Sequence, residues 1–155
     1  MAFIGNIAAA QSAKAIGNYN KAVYDQQYKF ETAKQKAKEA FYEKVERPKL
    51  IDDQIFAYSQ FFVDALRTGA EFRPGETTWL VALKNKQNMA LDLSMADYNK
   101  EVERIDDVNQ ALLIKAKGEG EQYKGLMTAR AEYMKAGASL LSMGYRSYDA
   151  GRIVL

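Results

Sequence analysis

The stretch RTGAEFRPGETTWLVAL, residues 67–83, decides how this chain folds. On either side the sequence is rich in Ala, Lys, Glu, Gln and Leu, residues that lose little on entering a helix. Within it lie Gly69, Pro74, Gly75 and Thr77, Pro74 being one of only two prolines in the chain. Gly69 is placed to end a helix in the left-handed conformation, Pro74 blocks its continuation, and Gly75 offers a permissive turn position. Thr77, followed by Trp79 and Leu80, reads as the N-cap of a second helix. A break this short is a turn, so the flanking arms are expected to lie antiparallel as an α-hairpin.

Working outward, residues 19–68 form the first arm, 69–76 the turn and 77–117 the second arm. Ile16, Tyr19, Val23, Gln26, Phe30, Ala33, Ala37 and Ala40 recur at alternating steps of three and four, an a/d spacing with one polar member. Pro48 removes a backbone donor, which predicts a kink near Arg47. In the second arm the same spacing links Leu91, Met95, Tyr98, Val102, Ile105, Asn109, Leu112 and Ala116. Ile16, Tyr19, Val23, Phe30, Tyr98, Val102, Ile105 and Leu112 are therefore the expected helix-packing or oligomer seam. Gly118, Gly120 and Gly125 in AKGEGEQYKG predict a flexible joint, so residues 118–155 are expected to be a Gly-interrupted helical segment.

The two ends share one character. Residues 1–18 include AFIGNIAAAQSAKAIGN, where Gly5, Ala9, Ala13 and Gly17 fall at steps of four and place small side chains along one face. Near the other end, AGASLLSMGYRSYDAGRIVL spaces Gly137, Gly144 and Gly151 by seven. Either set suits close helix packing or a membrane-active face. Arg146, Asp149 and Arg152 argue against a lone lipid-exposed span.

The chain has 155 residues, no histidine and no cysteine. That excludes disulfides, the usual Cys/His zinc sites, thiol nucleophiles and a Ser-His-Asp triad. Residues 19–50 hold eight Lys/Arg against five Asp/Glu, residues 51–114 six against eleven, and residues 115–155 seven against four. Basic arms flanking an acidic middle suit contacts between subunits, while a net charge of +2 does not indicate nucleic-acid binding. MAFIGNIAAAQ lacks a basic n-region, and no apolar run reaches the length of an autonomous membrane span, so a soluble chain is expected.

Catalytic constellations are lacking. Asp52/Asp53 and Asp106/Asp107 are adjacent pairs, which on a helix diverge by about 100° and do not form a converging dyad. GEGEQYKG has neither a preceding strand nor a Lys-Ser/Thr ending, so it is no phosphate loop. Tyr19, Tyr24, Tyr28, Phe30, Phe41 and Tyr42 interleave with lysines. Seam packing accounts for Tyr19 and Phe30, and subunit contacts for Tyr24, Tyr28 and Tyr42. No cofactor is expected. A lone hairpin of this length buries little apolar surface, so a homo-oligomer is.

The layout resembles the smallest of the internal virion proteins (core or ejection proteins) of short-tailed podoviruses. The Gly/Ala-rich start IGNIAAAQSAKAIGN, the polar helix NKAVYDQQYKFETAKQKAKEA, the turn through Gly75, Glu76 and Thr77 before Trp79, Leu80 and Leu83, and the tail AGASLLSMGYRSYDAG carry the resemblance. Pro74 and the ending Arg-Ile-Val-Leu depart from that pattern. The resemblance implies a non-enzymatic subunit of a ring-shaped core near the portal inside the capsid. It further implies partners among the other core proteins and the portal, with non-specific DNA contact. At infection such proteins leave the virion and help form a channel across the host envelope, with the host outer membrane as target. The contrasting expectation is a soluble helical adaptor binding a protein partner through the 16–40 seam.

Overall fold

The computed structural model describes residues 2–152, and side-chain surroundings within residues 3–145. Helix α1 spans Ala2–Phe41, a π-helical segment follows at Tyr42–Glu46, α2 spans Arg47–Arg67 and α3 spans Thr77–Arg152. No strand occurs among the described residues. The chain is an all-α hairpin, and its helices form two compact units: Met1–Glu31 with Gln110–Leu155, and Thr32–Asn109.

The second unit contains the turn. Helix α2 ends in a Schellman motif: Gly69 has φ +74°, its N–H donates to the Leu66 carbonyl at 3.1 Å, and Ala70 N–H donates to the Ala65 carbonyl at 3.0 Å. Arg73 to Glu76 then make a type II β-turn, with Pro74 second, Gly75 third at φ +93°, and Glu76 N–H donating to the Arg73 carbonyl at 3.0 Å. Between these two devices Phe72 stacks on Phe62, ring centroids 4.4 Å apart, and meets Phe61 edge-on. The start of α3 corrects the expectation for Thr77. Leu80 N–H donates to the Glu76 carbonyl at 3.0 Å, so Glu76 holds the cap position and Thr77 is the first helical residue.

Pro48 acts one turn upstream of the expected place. It is exposed near the start of α2, and the widened segment Tyr42–Glu46 precedes it, closed by Arg47 N–H donating to the Tyr42 carbonyl. A proline ring collides with the carbonyl four residues before it. Widening that turn into a π-bulge accommodates the ring while the chain stays helical on both sides.

In the first unit α1 and α3 meet through their smallest residues. A Cβ added to Gly125 would lie 2.7 Å from the Ala13 carbonyl oxygen and 2.8 Å from Gly17 Cα. One added to Gly118 would lie 2.7 Å from Tyr24 Cβ. The expected joint at 118–125 is therefore corrected: α3 runs through it without interruption, and Gly118 and Gly125 face α1 where any side chain would hold the helices apart. Glycine costs about 1 kcal/mol in a helix interior, and backbone contact across the seam offsets that cost.

Among the described residues the buried ones are alanine and glycine: Ala10, Gly17, Ala111, Gly118, Ala129 and Ala136 in the first unit, Ala82 in the second. No large side chain is fully buried among the described residues. The chain exposes 11933 Å². Bulky apolar side chains, Ile16, Tyr19 and Phe30 among them, are more than half exposed.

Candidate functional site

The inner seam of each unit differs from the seam that hydrophobicity marks. On α1 the residues turned inward include Ala10, Ala13, Gly17, Tyr24, Tyr28, Gln35, Lys38 and, at the π segment, Tyr42. They keep a three-and-four step, offset from the expected set. On α3 Lys100, Asp107, Ala111, Ile114, Gly118, Gly125 and Ala129 answer them, while nearer the turn the Met89 carbonyl accepts from Gln54 of α2. Tyr24, Tyr28 and Tyr42 thus lie within the intrachain seam. Tyr24 packs over Gly118, the Lys115 ammonium lies 5.8 Å from the Tyr28 ring centre, and Lys100 lies 5.5 Å from that of Tyr42. Tyr19 and Phe30 point away from the seam.

In the second unit the seam is polar. Lys38 Nζ bridges Asp107 at 2.8 Å and Glu103 at 3.3 Å. Arg47 Nε donates to Asp97 Oδ1 at 3.0 Å, and the Tyr42 hydroxyl donates to the same oxygen at 2.7 Å. Lys100 joins Glu103 at 2.9 Å and Glu46 at 3.6 Å, and Arg104 pairs with Glu101 and Glu39. The Arg47 and Tyr42 hydrogen bonds hold the Asp97 carboxyl below the ordinary carboxylate range. Burial first, and the Asp97 hydrogen bond second, push the Tyr42 phenol up to about 12. Lys100 and Lys38 likewise hold Glu103 below its ordinary value. These groups are half-exposed, so solvent screens the pairs and each contributes little to stability. Their sidedness fixes which faces of α1 and α3 meet.

Ion pairing organises this cluster. Each carboxylate in it is matched by a cation, and the half-open cleft between Gln35, Tyr42, Lys100 and Asp107 is small, about 40 Å³. Asp107 faces Lys38 while Asp106 is exposed, and Asp52 and Asp53 are both exposed, so neither pair converges. Among the described residues no cluster of Asp and Glu is arranged to hold a metal ion.

The expected seam lies outside. Ile16, Tyr19 and Phe30 are more than half exposed, as is Tyr98, while Val23, Val102, Ile105 and Leu112 are between a third and a half exposed. They are not the contact that holds the hairpin together. That placement has a physical cause: small residues let α1 and α3 approach closely in the first unit and ion pairs fill the inner positions in the second, so the bulky apolar faces lie outward. Of the small-residue sets, Ala13 and Gly17 enter the first unit's seam. Gly5 and Ala9 turn away from it, because steps of four drift around a helix of 3.6 residues per turn. A Cβ at Gly5, Gly137 or Gly144 would meet open space. The surroundings of Gly151 lie outside the described side chains. No helix among the described residues is long and apolar enough to cross a membrane.

No protein-family model, no curated protein and no solved structure matches the chain.

Proposed function

We propose that this protein is a non-enzymatic structural subunit that assembles through the outer faces of its helical hairpin. Its setting in this reading is the internal core of a phage virion, near the portal. It leaves the particle at infection and helps form a channel across the host cell envelope for the genome. The observation that carries the assembly is the row of bulky apolar residues at helix-packing spacing on the outside of a hairpin whose inner seam is already filled. Apolar surface repeated at that interval is covered in a stable particle by another helix. The virion setting is supported by the order of segments alone: Gly/Ala-rich start, polar helix, glycine turn, second polar helix, Gly/Ala/Ser-rich tail.

Release from such an assembly uncovers the same faces, which then suit a lipid interface or a new helical partner. The adaptor reading keeps one specific support, the lack of a membrane-crossing helix among the described residues. Dye release from liposomes separates the two. Protein dissociated from its assembly and added to anionic vesicles should release the dye. Intact vesicles at protein concentrations that saturate binding would favour the adaptor.

A further inference from the structure

The outer apolar residues divide between the two units. On α1 the first unit presents Ile16, Tyr19, Val23 and Phe30, exposed from 37% at Val23 to 70% at Tyr19, with Gln26 as the one polar member of the row. On α3 the second unit presents Leu91, Met95, Tyr98, Val102 and Ile105, exposed from 39% at Val102 to 69% at Tyr98. Each row occupies fifteen residues, 16–30 and 91–105. At 1.5 Å per residue each is about 21 Å long.

We propose that these two faces bind each other between copies of the chain, the α1 face of one copy packing antiparallel on the α3 face of the next. The proposal rests on the reading of the protein as an assembling subunit and says how the assembly is made. Charge selects the pairing. Residues 14–30 carry Lys14, Lys21 and Lys29 against Asp25, a net of 3 − 1 = +2. On the α3 side Asp97, Glu101 and Glu103 are matched within the hairpin by Arg47, Arg104, Lys38 and Lys100, so the acidic margin of the outer face is Asp92 and Asp106, both exposed. Two α3 faces would bring two acidic margins together, and two α1 faces two basic ones, whereas one of each is complementary.

Side-chain matching selects the direction. An antiparallel register sets Ile16 on Ile105, Tyr19 on Val102, Val23 on Tyr98 and Phe30 on Leu91, leaving Gln26 on Met95 as the one mixed rung. It also brings Lys29 level with Asp92. A parallel register sets Gln26 on Ile105 and Phe30 on Asn109, stranding two apolar side chains on amides. Because the two faces differ, the contact is heterologous: each copy keeps one face for each neighbour and the copies join head to tail.

The chain has no cysteine, so introduced thiols report the contact directly. Full-length Val23→Cys and Tyr98→Cys chains are oxidised separately and mixed, with circular dichroism confirming unchanged helicity. The pairing predicts a disulfide-linked dimer in the mixture and none from either variant alone, and a ladder of multimers from the double variant. Adding Lys29→Glu to the Val23→Cys chain should lower the cross-link yield by up to about fivefold, and Asp92→Lys in its partner should restore it. Cross-linking of either single variant with itself would mean that like faces pair, and overturns the proposal. A discrete multimer by light scattering without the mixed cross-link also overturns it while leaving the assembly reading intact. A monomer at every concentration overturns both.

Discussion

Glycines 118, 120 and 125 lie within eight residues of one another, yet the fold uses them differently. A Cβ at Gly120 meets nothing within 4 Å, whereas one at Gly125 meets the backbone of Ala13 and Gly17, which cannot rotate aside. Gly120→Ala should therefore raise stability by about 0.5–1 kcal/mol through helix propensity. Gly125→Ala should lower it by about 1–3 kcal/mol, the cost of an overpacked seam. Thermal unfolding of the two variants checks both signs, and equal shifts would contradict the close contact. Tyr42 supplies a second test. Its pKa is raised from the ordinary tyrosine value near 10 to about 12. The folded state thus holds the phenol proton more tightly than the unfolded chain. The stability this contributes is complete below pH 10 and is lost as pH rises through 12. Tyr42→Phe should flatten the decline in denaturant midpoint across that window. Asp97 has the opposite sign: its depressed pKa contributes stability above the ordinary carboxylate value and loses it as pH falls through the folded-state value.

The break between α2 and α3 was legible as an element because its chemistry is local. Gly69 at φ +74° and Gly75 at φ +93° need no partner to explain them, and the hairpin follows from them. Gly75→Val places a β-branched side chain in the left-handed region and should cost about 1–2 kcal/mol or more, with a fall in any assembly that needs the turn. A denaturation midpoint equal to that of the parent chain would show that the turn does not depend on Gly75. The interhelical seam was not legible, because the residues that form it are the ones a hydrophobic count overlooks. Gln35, Lys38 and Glu31 occupy inner positions of α1, while Ile16 and Phe30 face outward. What the sequence does carry is a pairing of small with small: Ala13 and Gly17 answer Gly125, and Gly118 makes room for Tyr24. Glycines in a helix can mark a joint or a close approach, and only the opposing helix distinguishes the two. Pro48 shows the same limit, since its effect is felt at Tyr42–Glu46 rather than at the proline itself.

For the molecule as a whole, the decisive quantity is the surface left exposed. Alanine and glycine fill the inner seams, ion pairs set which faces meet, and the bulky apolar side chains remain outside. In the proposed assembly the outer faces are buried between copies, so apparent stability should rise with protein concentration. In the proposed pairing, basic and acidic margins steer the approach, so added salt should slow association more than it weakens the final packing. The most direct test of the central claim, that the outer faces are assembly surfaces, is the solution mass by light scattering over a range of concentrations. The parent chain and Phe30→Lys, whose substituted side chain is exposed and outside both seams, should be measured side by side. The account predicts a discrete multimer for the parent and a shift toward monomer for the variant, at unchanged helicity. A monomer for both, or a multimer of the same size for both, would contradict it.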